Sequence, residues 1–284
     1  MRRRQGPAAE AIFFRLVSFS GENYKGTLIT FLEGDMAWKK TRGYSLLKAL
    51  REKKVFLPFL LTSLLLSTNW LIYIWAVNSD YIVESSLGYY INPLINVILG
   101  VLFLKERLRP PQWAAILLAT GGVCYLTFVY GHFPWIAIVL ALTFGLYGLL
   151  RKITSLPSLE GLCLETSILC LPALLVLLSL GNRGELAFVQ QNGTIQLLFV
   201  AAGIVTSVPL ILFGYAAQKL PLSTLGIIQY LAPTLQLCIG IFVYGEPFPQ
   251  EQRIGFALVW CGLAIYGLEG IMKRMGRKKA RLEA

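Results

Sequence analysis

Carboxamides and prolines stand inside otherwise apolar stretches of this chain, where each is costly unless it has a use. Glu84, Gly88, Asn92, Asn96 and Gly100 recur every four residues. That spacing keeps them on one broad helix face, drifting by about 40° per step. Gln229, Pro233, Gln236 and Gly240 form a related stripe further on. A carboxamide carries both a donor and an acceptor, so these groups suit the recognition of a neutral polar solute, not proton transfer or nucleophilic attack. Asn92, Asn96, Gln229, Tyr230 and Gln236 are therefore candidate solute-binding residues, joined by Asn69 and Trp75 on an earlier apolar run. The competing use is structural: small and amide residues glue helices together, Trp75 anchors at an interface, and tyrosines pack. Pro93 and Pro233 each delete one helical hydrogen bond, which makes a hinge or a fixed bend. Glu165 has no basic residue near it in sequence, and a carboxyl kept from water becomes a candidate proton carrier. Glu106 and Glu246 fall at run ends, where Glu106 is expected to pair with Lys105, Arg107 or Arg109.

No set of groups for catalysis accompanies these residues. The single histidine, His132, falls in a short turn, and the five cysteines are scattered through apolar runs without metal-ligand spacing. Nucleophile-elbow, zinc-protease and phosphate-loop motifs are missing from the sequence. The chain is expected to need no cofactor or metal and not to be an enzyme.

The elements that must position the amides are membrane-spanning helices. The 284 residues are 56% hydrophobic and only 14% charged, with a mean hydropathy of +0.62. Eight apolar runs are long enough to cross roughly 30 Å of hydrocarbon: 55–77, 82–104, 111–130, 133–150, 161–180, 194–217, 222–244 and 254–272. Only Glu84, Glu165 and Glu269 put a formal charge within them. The net charge of +11 lies in alternate loops. Lys39 to Lys54, Lys105, Arg107, Arg109, Arg151, Lys152, Lys219 and the tail from Lys273 share one side, against Arg183 and Arg253 on the other. The positive-inside rule then places both ends of the eight-helix body in the cytoplasm. The basic tail reads as an orientation signal near anionic lipid, with no nucleic-acid partner expected.

The runs also repeat. Pro93, Gly100 and Glu106 recur as Pro233, Gly240 and Glu246, each pair 140 residues apart. The same register pairs Tyr90 with Tyr230, Gln112 with Gln252, Gly122 with Gly262 and Asn96 with Gln236. One copy enters from the cytoplasm and the other from outside, so the repeat is inverted. An inverted repeat lets one set of contacts open inward and its mirror image open outward, and helix-breaking residues in matching places point to a substrate path.

The stretches NWLIYIWAVN (69–78), ESSLGYYINPLINVILGVLFLKERL (84–108), AAGIVTSVPL (201–210) and STLGIIQYLAPTLQL (223–237) closely resemble the RarD branch of the EamA-type drug/metabolite transporter superfamily. The resemblance runs from about Trp38 to the C-terminus and implies a bacterial inner-membrane, multi-pass protein built from two five-helix inverted repeats around a central cavity. The expected fold is an all-α integral membrane protein whose eight transmembrane helices form most of that five-plus-five fold. Residues 1–54 are expected to be a divergent cytoplasmic segment standing where the first two family helices fall, so that the chain is shortened and its transport impaired. Residues 55–130 are then the rest of the first repeat, 133–272 the second, and 273–284 a basic cytoplasmic tail. The implied function is secondary transport of a small metabolite or drug-like solute by alternating access, with the lipid bilayer and the solute as partners and a homodimer allowed for. The alternative is a non-transporting membrane scaffold or assembly subunit.

Overall fold

A computed structural model describes residue 49 and residues 51–183, 193–243, 245 and 248–282. The expectation for the N-terminal segment falls mainly on residues outside this set. The described residues form nine helices: α1 (Lys53–Asn78), α2 (Ile82–Leu104), α3 (Pro110–Tyr130), α4 (Trp135–Ile153), α5 (Ser158–Asn182), α6 (Gly193–Lys219), α7 (Leu222–Gln229), α8 (Leu231–Phe242) and α9 (Gln250–Leu282). Among the described residues, eight stretches are long and apolar enough to cross a membrane, with α7 and α8 counting as one. The fold is all-α, as the apolar runs require.

Local chemistry sets the ends. Pro110 starts α3, where a missing N–H costs nothing, and the Arg109 N–H donates to Gln112 Oε1 at 3.0 Å. Gly131, with φ +79°, stops α3 in the left-handed conformation that glycine adopts without strain. The tail continues α9 instead of leaving it, because its lysines and arginines are good helix formers. The seventh apolar run is one stretch in sequence but two helices in the structure. Pro233 has no N–H to return to the Gln229 carbonyl, and the helix breaks at Gln229–Tyr230. Pro93 lies inside the unbroken α2, so the repeat-related prolines do different things.

The helices pack as two units that do not follow the sequence repeats. Of the described residues, unit 1 holds those up to 82 and those within 150–219, and unit 2 those within 83–149 and 220–282, so each takes helices from both repeats. Within unit 1, Ala49, Val55, Phe59, Leu156, Cys163 and Leu164 form a small buried cluster joining α1 to α5.

Within unit 2, α3 and α9 lie backbone to backbone. A Cβ at Gly122 would come 2.6 Å from the Gly255 carbonyl oxygen, and one at Gly262 would come 2.5 Å from that of Ala115. Those contacts are images of one another, since Gly122 and Gly262 are 140 residues apart and so are Ala115 and Gly255. Tyr230 completes the pattern by donating its hydroxyl to the backbone oxygen of its own repeat partner, Tyr90, at 3.1 Å. The internal two-fold relation is thus visible in paired backbone approaches. Around it Leu94, Val97, Ile116, Val123 and Val259 make the apolar core.

Candidate functional site: a carboxamide cluster beside a broken helix

Helix α2 meets α7 through a glycine. A Cβ at Gly226 would lie 2.6 Å from the Pro93 carbonyl oxygen and 2.9 Å from Asn96 Cβ, so no larger residue fits that crossing unchanged. The close approach brings three amides together, Asn92 and Asn96 on the crossing turn of α2 and Gln229 one turn past Gly226 on α7. Asn92 and Asn96 donate from Nδ2 to the same acceptor, Gln229 Oε1, at 3.3 and 2.5 Å. Asn96 is fully buried and Asn92 nearly so, and Tyr230, next to Gln229 in the chain, has no exposed surface. The Oδ1 atoms of both asparagines are buried without a hydrogen-bond partner. A buried acceptor left unmatched costs about 1–3 kcal/mol, so this arrangement is unfavourable unless a donor arrives.

Asn92, Asn96, Gln229 and Tyr230, together with Pro93, thus converge in unit 2. Asn96 meets Gln229, about two turns before its repeat partner Gln236, which is exposed on α8 beyond the break. Pro233 is buried on the same helix, just after the break. Asn69 and Trp75 belong to α1 in unit 1: Asn69 is half-buried, and Trp75, largely exposed near the helix end, stacks on Tyr81 with ring centroids 5.6 Å apart.

Glu165, on α5 in unit 1, is fully buried, and its counter-ion is a residue the sequence did not connect with it. Arg151 Nη1 lies 3.8 Å from Glu165 Oε1, and both side chains are 1% exposed. The guanidinium donates from Nη2 to the Ser158 carbonyl at 2.9 Å and lies over the Phe59 ring, 5.6 Å from its centroid. Ser63 on α1 donates to the backbone oxygen of Glu165 at 3.3 Å. Room for Arg151 comes from Gly161 and Gly214, where a Cβ would collide with its guanidinium. Those two glycines inside apolar runs are the only sequence trace of the pair.

Glu84 and Glu106 hold helix starts. Glu84 accepts from the Ile136 N–H at the start of α4 at 2.8 Å. Glu106 takes Leu222 N, Ser223 N and Ser223 Oγ at 2.6, 2.9 and 2.6 Å, capping α7. The expected pairing of Glu106 with a neighbouring base is therefore replaced. Lys105 turns the chain back with φ +54°, the Glu106 N–H reaches the Gly100 carbonyl at 3.1 Å, and the carboxylate faces the positive end of α7. Arg109 pairs with Glu269. The repeated Gly100–Glu106 spacing now has a physical cause, because a Cβ at Gly100 would come 2.8 Å from Glu106 Oε2. Gly245, the repeat counterpart of Lys105, also has a left-handed φ of +67°. Glu246 lies outside the described residues.

The model of the EamA-like transporter family matches residues 28–128 and again 134–268. The chain is 46% identical over 224 residues to the uncharacterized transporter YojE of Bacillus subtilis, covering 79% of this chain and 74% of that one. It is 45% identical to protein RarD of Streptomyces exfoliatus, covering 79% and 71%, and 40% identical to protein RarD of Escherichia coli, covering 81% and 78%. A crystal structure of a protein 22% identical superposes with a TM-score of 0.62 over 91% of this chain and 92% of the other, a likeness of fold. The doubled family match falls on the two halves related by the 140-residue register. The chain is a multi-pass membrane protein that belongs to the EamA-like transporter family, in its RarD branch.

Proposed function

We propose that the chain is a secondary carrier of a small metabolite or drug-like solute in the bacterial inner membrane, working by alternating access between its inverted repeats. The observation that carries the reading is the pair of buried, unmatched Oδ1 acceptors of Asn92 and Asn96, fixed by one glutamine beside a broken helix. Two such acceptors are expensive in a protein that merely packs, and they become useful when a solute presents hydroxyl, amide or ammonium N–H groups. Tyr230 would supply a neighbouring wall, with Asn69, Trp75 and Gln236 contacting the solute elsewhere on its path. Pro233 is the preferred hinge, because the helix is already divided there and the Gln229 carbonyl has lost its helical donor. Pro93 acts as a fixed element of α2. Proton coupling through Glu165 would require Arg151 to move away with protonation, since a neutral Glu165 would leave that buried guanidinium unmatched.

The test is solute flux in proteoliposomes, screened over amino acids, nucleosides, sugars and amphipathic drugs, for the wild type and for Asn92→Leu, Asn96→Leu and Gln229→Leu. The reading expects all three to insert and to lose most of the flux the wild type shows. Wild-type flux retained by all three would return the amides to a packing role. Orientation is tested separately: a cysteine at Lys278→Cys should be labelled by an impermeant reagent only after sealed cells are opened.

A further inference from the structure

We propose that unit 1 carries a site for the phosphate headgroup of an anionic phospholipid, distinct from the amide cluster and independent of the transport reading. A cavity of about 370 Å³ opens where α4 ends, α5 begins and α6 ends. Lys152, Lys219, Ser155, Ser158, Tyr215 and Gln218 are among its lining residues, and no carboxylate is. Lys152 Nζ is held by the Ala217 carbonyl at 3.2 Å, and Lys219 Nζ stands 6.0 Å from the centre of the Tyr215 ring. Behind Ser158 lies the buried Arg151, whose Nη2 donates to the Ser158 carbonyl. Two ammonium groups and several hydroxyls therefore border one concavity, with the N-terminal residue of α5 between them. That is the chemistry of a phosphodiester oxyanion.

Lysines at helix C-termini have a simpler use, complementing the helix dipole. Two features go beyond that use: the lysines come from different helices to one cavity, and apolar side chains border it. Tyr215 lines the cavity with 58% of its surface exposed. Ile153, between the lining residues Lys152 and Thr154, and Leu212, about one turn before Tyr215 on α6, are each 62% exposed. In a bilayer these residues meet acyl chains, which a free phosphate lacks and a lipid supplies with the same headgroup. Arg151, Lys152 and Lys219 also belong to the loop set that carries nearly all the basic charge, the side that faces anionic lipid.

The experiment uses the full chain, delipidated in neutral detergent, with native mass spectrometry and thermal denaturation as readouts. The probes are phosphatidylglycerol, phosphatidylcholine and inorganic phosphate. Phosphatidylglycerol should bind and raise the melting temperature, phosphatidylcholine should not, and millimolar phosphate should not displace the lipid. Lys152→Gln with Lys219→Gln should weaken phosphatidylglycerol binding by about tenfold or more, as loss of two near-surface charges implies. Lys105→Gln with Arg107→Gln removes the same charge outside the cavity and should leave binding within about twofold. If the lysine pair does not give folded protein, Ser155→Glu, at an exposed position in the cavity wall, should abolish the preference for anionic lipid. Equal retention of both lipids, equal loss in the two double variants, or lysine-dependent binding of phosphate without lipid would each overturn the proposal.

Discussion

Unit 1 buries a full charge pair, Arg151 against Glu165, in a cradle made by Phe59 and two glycines. Unit 2 buries no such pair among the residues its apolar core collects; it brings backbones together at Gly122, Gly226, Gly255 and Gly262 and seals the crossings with aliphatic side chains. Glycine serves opposite ends in the two. In unit 1 Gly161 and Gly214 make space for a long cation, and in unit 2 those four remove space so that helices touch. The lesson is that a glycine in a membrane helix has no meaning until its neighbour is known: a guanidinium can be accommodated by moving, whereas a carbonyl oxygen cannot.

The sharpest break in that comparison is to remove one member of the ion pair. Arg151→Met should destabilise the protein by about 3–5 kcal/mol, because Glu165 is left as an uncompensated buried charge. Arg151→Met with Glu165→Met should recover much of the loss, and denaturation in detergent micelles reads both. Additive losses would mean that the two charges do not interact.

A smaller effect is expected in unit 2. Gly122→Ala and Gly262→Ala should each cost about 1–3 kcal/mol, since the new methyl meets a backbone oxygen that can yield only if α3 and α9 separate. Their costs should be similar, the sites being images under the internal two-fold. Gly121→Ala next door meets nothing within 4 Å and should be neutral or stabilising by up to about 1 kcal/mol. Equal behaviour of positions 121 and 122 would refute the close approach.

Glu106→Gln should cost about 1–2 kcal/mol, as the α7 cap loses its charge while keeping its shape. The smallest stability change belongs to Asn96→Leu, within about 1 kcal/mol: a hydrogen bond to Gln229 is lost, but an unmatched buried acceptor goes with it. Solute flux, not melting temperature, is where that substitution should register.

The amino-acid order by itself determined the helices, because a membrane helix must satisfy its backbone internally and needs a long apolar run to do so. The run at 82–104 coincides with α2, and the others agree within a few residues, apart from the break at Gln229–Tyr230 and the extension of α9. The repeat register was equally legible, since matched prolines and glycines can be aligned without coordinates. What the sequence could not decide was partnership. Asn96 aligns with Gln236 but bonds to Gln229, because alignment reports ancestry while the crossing at Gly226 fixes which turn of α7 comes within reach. Glu165 found Arg151, and Glu106 found the start of α7 across more than a hundred residues, since a charge in an apolar setting takes the partner that packing delivers, near in the chain or not. Even the grouping of helices into two packed units, each drawn from both repeats, depends on contacts between faces whose complementarity appears only when the helices are placed side by side.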